Sequence, residues 1–169
     1  MTEVRVIGVA IDSAGQRVIL LKPSDAPAGV GKILPIWIGD QEATSILVAI
    51  EGVQMPRPLA HDLMRAVIDA LGARVERVEI TSIEDGTFYA VAYLLAADGE
   101  SHVVDARPSD AIALASRNGA PIHVADAVLE QAGIVDAVTG EEEGAPNEEQ
   151  RLEEFRQFLD TVDPEDFGE

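Results

Sequence analysis

Runs of alternating and continuous apolar residues, separated by turn residues, fill the first forty positions of the chain. Residues 4–11 and 17–21 predict a pair of strands, joined by the turn cluster Asp-Ser-Ala-Gly-Gln at 12–16. Two prolines and two glycines make residues 22–31 a loop. Residues 32–38 predict a third strand, in which Pro35 indicates an edge position or a bulge.

Helical spacing replaces this pattern after position 39. A first helix is predicted over residues 39–52 and a second over 58–71, where Gly72 ends it. In the second helix one apolar stripe recurs with helical period: Leu59, Leu63, Ala66, Val67, Ala70 and Leu71. The stripe is expected to face the core, which places His61 on the opposite, solvated side of the helix.

The second half of the chain repeats this order. Strands are predicted over 74–83, 87–97 and 102–105, with Glu84-Asp85-Gly86 and Asp98-Gly99 as hairpin turns. The helix at 108–118 is apolar nearly all round and is therefore expected to be buried. A short extended segment at 121–124 and a closing helix at 126–131 follow.

The predicted fold class is therefore α+β. A duplicated unit of three strands and two helices forms a mainly antiparallel sheet or barrel-like core with packed helices. We expect one domain over residues 1–135, followed by an acidic linker and a short amphipathic tail helix over 136–169. The apolar residues of that tail helix would dock on the body or on a protein partner: Leu152, Phe155, Phe158, Leu159 and Val162.

Composition narrows the class of protein. A chain of 169 residues is long enough for one well-buried core. It contains no cysteine, which excludes disulfides, thiol catalysis and thiolate metal sites. No apolar run approaches the roughly 20 residues of a membrane helix, and the first residues lack the layout of a signal peptide. We therefore expect a cytoplasmic protein without a membrane partner.

The net charge of −19 is unevenly distributed. Residues 139–169 hold twelve acids and two arginines, whereas residues 1–138 hold nineteen acids and ten bases. Even the body is acidic, which argues against loose nucleic-acid binding driven by phosphate neutralisation. Contact with nucleic acid would require a local basic groove or bound cations.

Two Arg-Pro steps at predicted helix starts are the strongest candidates for chemistry. Residues 56–63 (Pro-Arg-Pro-Leu-Ala-His-Asp-Leu) and 105–111 (Asp-Ala-Arg-Pro-Ser-Asp-Ala) each combine a guanidinium with carboxylates in the first turn. Proline suits the first helical position, and the positive helix end attracts anions. The candidate residues are Arg57, His61, Asp62, Asp105, Arg107 and Asp110. The alternative is that His61 lies on a solvated face and that the second set only caps its helix.

The order of several motifs resembles the bifunctional nuclease (BFN) domain family. The resemblance covers roughly residues 4–135. It rests on Leu-Pro-Ile-Trp-Ile-Gly at 34–39, Pro-Arg-Pro at 56–58 with His-Asp-Leu at 61–63, Phe-Tyr-Ala at 88–90 and the segment 105–115. It implies an α+β domain built from a duplicated unit, a wedge-shaped homodimer with a groove that holds the active site, and nuclease activity on DNA and RNA.

Hydrolysis of DNA cannot use a 2′-hydroxyl, so the site must activate water or a side-chain nucleophile. In the absence of cysteine, a divalent ion held by carboxylates is an economical solution, and oxygen ligands suit Mg²⁺ or Mn²⁺. The candidate ligands are Glu42, Asp62, Asp105 and Asp110. His61 is then the candidate base or acid, and Arg57 and Arg107 are the phosphate clamps of one groove.

Two other interpretations remain open. The chain is alternatively a non-catalytic dimeric binding or regulatory module that recognises a small anion or a protein partner. In the third interpretation the motif residues serve only the fold and the dimer interface. Trp37, the sole tryptophan, is expected in the core, with stacking on a base as its alternative role.

Overall fold

The computed structural model describes residues 1–140, so the expected tail helix lies outside the described residues. The first half contains three strands and two helices, as the sequence predicts: β1 (Thr2–Ile11), β2 (Arg17–Pro23), β3 (Lys32–Ile38), α1 (Asp40–Ile50) and α2 (Ala60–Ala70). The longest helices in residues 1–140 have 11 residues, and none of them could cross a membrane.

The second half begins in the same way and then adds two strands. Three strands again precede a helix: β4 (Arg74–Glu84), β5 (Thr87–Leu95), β6 (Ser101–Ala106) and α3 (Pro108–Asn118). The chain then continues through β7 (Ile122–Val124), α4 (Asp126–Ala132) and β8 (Ile134–Val135). The short extended segment of the sequence analysis is β7, which separates the two helices of this half.

All eight strands belong to one sheet, in the order β6-β5-β4-β7-β1-β2-β3-β8. The two halves form two antiparallel meanders, and β7 joins them by pairing antiparallel with β1 and parallel with β4. The sheet is open, with β6 and β8 at its edges. The predicted α+β class, with a mainly antiparallel sheet and packed helices, is confirmed, and the sheet does not close into a barrel.

Local turn chemistry accounts for the strand pairing. Asp85 and Gly86 have φ values of 48° and 74°, and Glu84 pairs directly with Thr87. Positive φ at both central residues is the signature of a two-residue hairpin turn whose twist matches that of the strands. Pro35 lies beyond the two residues of β3 that pair with β8, so its missing N–H disrupts no ladder bond on that side.

The orientation of α2 is opposite to the one predicted from its apolar stripe. His61 is buried, with 6% of its surface exposed, whereas Leu63, Val67 and Leu71 expose 59%, 49% and 75%. Of the apolar residues on this helix, Ile68 packs against the main core. The prediction that the stripe faces the core is wrong because His61 finds buried hydrogen-bond partners on that side.

A buried ion pair fastens the segment after β8 to the body. The Lys22 ammonium, fully buried on β2, donates to the carboxylate of Asp136 and to Oγ1 of Thr139. Burial by itself would raise the pKa of Asp136, but hydrogen bonds from Lys22, Thr139 and the Val138 amide outweigh burial and lower the pKa to about 2. Residues 136–139 therefore pack on the body.

Replacing Asp136 by asparagine should lower the free energy of unfolding at neutral pH by about 3 kcal/mol, because the buried ammonium of Lys22 loses its counter-charge. The folded-state pKa of Asp136 is depressed, so its stabilisation is complete above the ordinary value of 3.8 and disappears as the pH falls through about 2. The free energies of unfolding of Asp136→Asn and of the parent protein, both measured by urea denaturation, should therefore converge in acid. An exposed-loop control, Asp25→Asn, should follow the parent protein at every pH, and equal stability of Asp136→Asn at neutral pH would contradict the assignment.

Candidate functional site

The first turns of α1, α2 and α3 line one cavity of about 560 Å³. The residues that precede these helices, Gly39, Leu59 and Arg107, have extended backbone conformations and provide no side-chain cap. The amide N–H groups at a helix start carry partial positive charge and attract anions. Three such helix starts meet at this cavity, where the carboxylates of Asp40, Glu42 and Asp110 and the guanidinium of Arg107 also line the wall.

His61 links two of these helices through a chain of hydrogen bonds. Its Nδ1 lies 2.8 Å from Oγ of Ser45 on α1, and its Nε2 lies 3.0 Å from Oδ1 of Asp110 on α3. Ser45 and His61 are both buried, while the Asp110 carboxylate is partly exposed toward the cavity. The imidazole therefore lies behind Asp110, with both of its ring nitrogens engaged.

Arg107 closes this network at the surface. Its Nε lies 2.7 Å from Oδ2 of Asp110, and its Nη2 lies 3.1 Å from Oδ1 of Asp110 and 2.9 Å from Oε1 of Glu42. The Arg107 side chain is 66% exposed. It is thus the part of the network that a ligand entering from solvent meets first.

The charges of the network follow from these contacts. Burial tends to raise the pKa of Asp110, but the hydrogen bonds from Arg107 and His61 outweigh it and hold the pKa below its ordinary value. The hydrogen bond with Asp110 likewise raises the pKa of Arg107. Asp110 is therefore an ionised acceptor at neutral pH. A neutral His61 must then carry its proton on Nε2 and accept the Ser45 hydroxyl hydrogen on Nδ1.

A glycine makes room for Glu42. Glu42 is the third residue of α1, and its carboxylate folds back against Gly39 at the start of the helix. A Cβ atom at Gly39 would collide with an oxygen of that carboxylate. The Glu42 carboxylate thus occupies the space that a side chain at position 39 would fill, while its Oε1 contacts Arg107.

Asp62, by contrast, joins α2 to α3. Its Oδ1 lies 2.6 Å from Nε of Arg117, and its Oδ2 accepts the Leu59 amide N–H at 2.8 Å. The hydrogen bond from Arg117 is the main cause that lowers the pKa of Asp62. Asp62 does not line the cavity, so the geometry gives it a structural contact between helices.

The predicted site residues fall into four places. Glu42, His61, Arg107 and Asp110 are brought together at the cavity. Asp62 is paired with Arg117. Arg57 is exposed before α2 and makes no hydrogen bond or ion pair with residues 1–140. Asp105 on β6 lines an apolar groove beside α2 that meets the cavity at Met64 and Asp110. The catalytic roles assigned to Arg57, Asp62 and Asp105 stay predictions.

Sequence reasoning missed two residues that the geometry brings into contact with the predicted ones. Ser45 is a small polar residue beside Ile46 on the buried side of α1. A polar side chain at a buried helix position was the signal in the sequence for a hydrogen-bond partner at this point. Arg117 lies in the last turn of a helix that is otherwise buried, where a nearly inaccessible charge requires a partner. Neither partner could be named from spacing along the chain.

The carboxylates as arranged do not fit a divalent ion. In residues 1–140 no group of three or more His, Asp or Glu side chains is placed to hold a metal. Glu42 and Asp110 are each bound by Arg107, and Asp62 is bound by Arg117. A Mg²⁺ or Mn²⁺ ion at Glu42, Asp62, Asp105 and Asp110 stays a hypothesis from the sequence.

The fold and the site define an α+β domain with a cavity between three helix starts. The protein-family model of the Bifunctional nuclease domain matches residues 18–137 of the sequence, and the chain belongs to this family. The resemblance of the sequence motifs is thereby confirmed.

Relatives fall into two groups. An uncharacterized protein of Mycobacterium tuberculosis is 42% identical over 169 residues, which cover 99% of this chain and 98% of the relative. Bifunctional nuclease 2 of Arabidopsis thaliana is 33% identical over 108 residues, and Bifunctional nuclease 1 of Oryza sativa subsp. indica is 31% identical over 115 residues. These two matches cover 63% and 67% of this chain but only 32% and 34% of the plant proteins.

The tautomer of His61 is a direct test of the network. We expect neutral His61 to be protonated on Nε2, because the Asp110 carboxylate can only accept. Long-range proton–nitrogen NMR spectra of ¹⁵N-histidine-labelled protein distinguish the two tautomers, and Ser45→Ala should shift the Nδ1 resonance of His61 while leaving His102 unchanged. A proton on Nδ1 of the neutral ring would contradict the network.

Proposed function

We propose that this chain is a nuclease that hydrolyses phosphodiester bonds of DNA and RNA at the cavity between α1, α2 and α3. Membership of the Bifunctional nuclease domain family supports the reaction class. The observation that carries the proposal is the network of Ser45, His61 and Asp110 beneath the exposed guanidinium of Arg107.

Arg107 would bind the phosphodiester. Its planar guanidinium holds two carboxylates by short hydrogen bonds, and a phosphate offers the same paired oxygen acceptors. A phosphate oxygen therefore replaces Glu42 on Nη2 without a change of geometry. The helix starts offset part of the negative charge that Asp40, Glu42 and Asp110 place at the same point.

Asp110 would accept a proton from the attacking water. While Arg107 is bound to it, the pKa of Asp110 is held low and its carboxylate is a weak base. A phosphate bound at Nη2 shares the charge of Arg107, so the hydrogen bonds from Arg107 to Asp110 weaken and the carboxylate becomes more basic. His61, buried and held by Ser45, keeps the carboxylate in position, so its role in the proposal is to orient Asp110.

A dimeric module that binds a small anion without turnover is the second candidate. It is favoured by the pairing of Arg107 with two carboxylates and by the engagement of both nitrogens of His61. Such a module would retain inorganic phosphate and release no product from a polynucleotide. A cleavage assay on purified protein therefore separates the two candidates.

Matched pairs of variants test the nuclease. Arg107→Ala and Asp110→Asn should each lower turnover of DNA and RNA about 10²-fold, the scale expected for a general base or a phosphate ligand. Arg57→Ala and Asp105→Asn remove the same charges outside the cavity and should cost at most a few-fold. Turnover is measured on single-stranded DNA and RNA, with thermal unfolding as the control for folding.

The same assay in chelator, Mg²⁺ or Mn²⁺ tests the metal hypothesis, because a required ion makes cleavage disappear with chelator.

Larger losses of turnover in Arg57→Ala and Asp105→Asn than in Arg107→Ala and Asp110→Asn would favour the single groove expected from the sequence. Unchanged cleavage in all four variants would exclude the proposed site.

We also propose that the chain forms a homodimer through the exposed face of α2 and the edge strand β6. Leu63, Val67 and Val104 are exposed beside a groove of about 490 Å³. Among the strands of residues 1–140, β5 is the single neighbour of β6, so the other side of β6 is an open sheet edge. Exposed apolar side chains next to an open sheet edge are typical of an interaction surface. A two-fold axis through this face would bury the same patch on both copies.

Val67→Glu should convert the dimer to a monomer, because it places two charges in the centre of a symmetric apolar contact. Sedimentation equilibrium at micromolar concentration should give the mass of two chains for the parent protein and of one chain for the variant. Val30→Glu, at an equally exposed valine in the β2–β3 loop, should remain dimeric. A parent protein with the mass of one chain would overturn the proposal.

A further inference from the structure

All four helices in residues 1–140 pack on the same face of the sheet. Each of them places apolar residues in or against the main hydrophobic core: Ile46 on α1, Ile68 on α2, Ile112 on α3 and Leu129 on α4. Side chains alternate between the two faces along a strand, so the residues between the core positions point to the opposite face. We call this opposite surface of the sheet the helix-free face.

One half of the helix-free face is covered by the chain that follows α4. Strands β1, β2 and β3 contribute the smaller hydrophobic cluster there, against which Trp37, Ile134 and Val138 pack. Trp37 also donates from Nε1 to Oδ2 of Asp12 at 3.1 Å, which holds the sole tryptophan in this cluster. Residues 134–138 therefore shield the half of the face that β1, β2 and β3 form.

The half formed by β4, β5 and β6 carries apolar side chains without a covering element in residues 1–140. Tyr93 lies opposite Val103 in the register of β5 and β6, and Tyr89 and Val91 lie on the same side of β5. Val103 and Tyr89 expose 58% and 43% of their surface. The guanidinium of Arg77 lies 3.6 Å from the centroid of the Tyr93 ring, which fixes that ring on the face. This half is thus a preformed, partly apolar surface.

The chain passes beyond the described residues close to this surface. Oγ1 of Thr139 accepts the Gly29 amide N–H at 2.9 Å, and Gly140 lies against Gly29 in the β2–β3 loop. Four strand spacings separate β2 from β5, which is about 19 Å at the usual spacing of neighbouring strands. Residues 141–151 span up to about 36 Å when extended. The apolar residues that begin at Leu152 are therefore within reach of the uncovered half.

The charges of the tail and of the helix-free face are complementary. Arg5 lies opposite Lys22 and Arg74 lies opposite Leu95 in the strand registers, which places both guanidiniums on this face. Both are exposed, and neither forms an ion pair within residues 1–140. The tail combines twelve acids with apolar residues at helical spacing: Leu152, Phe155, Phe158, Leu159 and Val162. An acidic amphipathic segment thus finds apolar contact and unpaired cations on the same surface.

The apolar groove beside α2 matches the tail less well. It lies on the helix side of the sheet, so the chain would have to pass around a sheet edge to reach it. The charged residues that line it are Asp105 and Asp110. Carboxylates at the groove would repel an acidic segment. Both position and charge therefore favour the helix-free face.

We propose that residues 152–162 dock on the uncovered half of the helix-free face of the same molecule. Their apolar side covers Tyr93 and Val103, and the acids beside it face Arg5 and Arg74. The cavity between the helix starts lies on the other face of the sheet, so docking is independent of the proposed nuclease activity. It also leaves the exposed face of α2 and the open edge of β6 available to the proposed homodimer.

A spin label on the tail locates its docking surface. The chain contains no cysteine, so Gln157→Cys accepts a single nitroxide on the polar side of the predicted tail helix. In proton–nitrogen NMR spectra of the full chain, the label should broaden the amide resonances of Tyr93 and Val103 more strongly than those of Leu63 and Val67. Stronger broadening at Leu63 and Val67, or equal intensities with and without the label at all four residues, would overturn the proposal.

Matched variants of the labelled chain test the two kinds of contact. Phe158→Ser should lower the equilibrium constant for docking about tenfold, the lower part of the range for loss of one buried phenylalanine, whereas Arg156→Ser should leave the broadening unchanged. Arg5→Glu should weaken the broadening several-fold. Arg57→Glu, at an unpaired arginine away from this face, should not. Equal broadening in Phe158→Ser and the parent chain would contradict docking.

A mixed sample shows whether the tail belongs to the same molecule. Chains labelled with ¹⁵N and without the nitroxide are mixed with an equal amount of unlabelled chains that carry the nitroxide at Gln157→Cys. The resonances of Tyr93 should be broadened far less than in the singly labelled sample. Equal or stronger broadening in the mixture would overturn the proposal, because it would assign the contact to the tail of a second copy.

Discussion

The burial of α3 is the constraint on which both the fold and the site depend. This helix contacts α1 and α2 on one side and β4 and β5 on the other. Its centre is fully buried, and the buried residues are mostly small: Ala111, Ile112, Ala113 and Ala115. Small side chains allow neighbouring helices to approach closely. The starts of the three helices consequently meet at one cavity, and Arg107 and Asp110 lie there because they begin α3.

Much of the fold could be predicted from the sequence because its determinants are local. The Glu-Asp-Gly turn encodes a hairpin by its own φ preferences, and the apolar surface of α3 encodes burial without any knowledge of its neighbours. The orientation of α2 could not be predicted in this way. Its stripe of leucine and valine is stronger than the signal of one histidine, yet a buried imidazole with two partners determines which side faces inward.

The site shows the same division between local and distant determinants. Arg107 and Asp110 are three residues apart on one helix start, and their pairing follows from that spacing. The partners Ser45–His61 and Asp62–Arg117 are 16 and 55 residues apart, and only tertiary packing brings them together. Two similar Arg-Pro corners in the sequence thus acquire different roles. Arg107 holds two carboxylates at the cavity, whereas Arg57 extends into solvent.

One helix carries both His61 and the exposed apolar surface of Leu63 and Val67, on opposite faces. Any contact that fixes the outer face of α2 also restricts the motion of the imidazole on its inner face. In the proposed homodimer, occupancy of the cavity and occupancy of the outer face would therefore be linked, and linkage of this kind is reciprocal. A ligand that orders His61 would strengthen the contact between the two copies, and dilution of the protein would weaken its hold on that ligand.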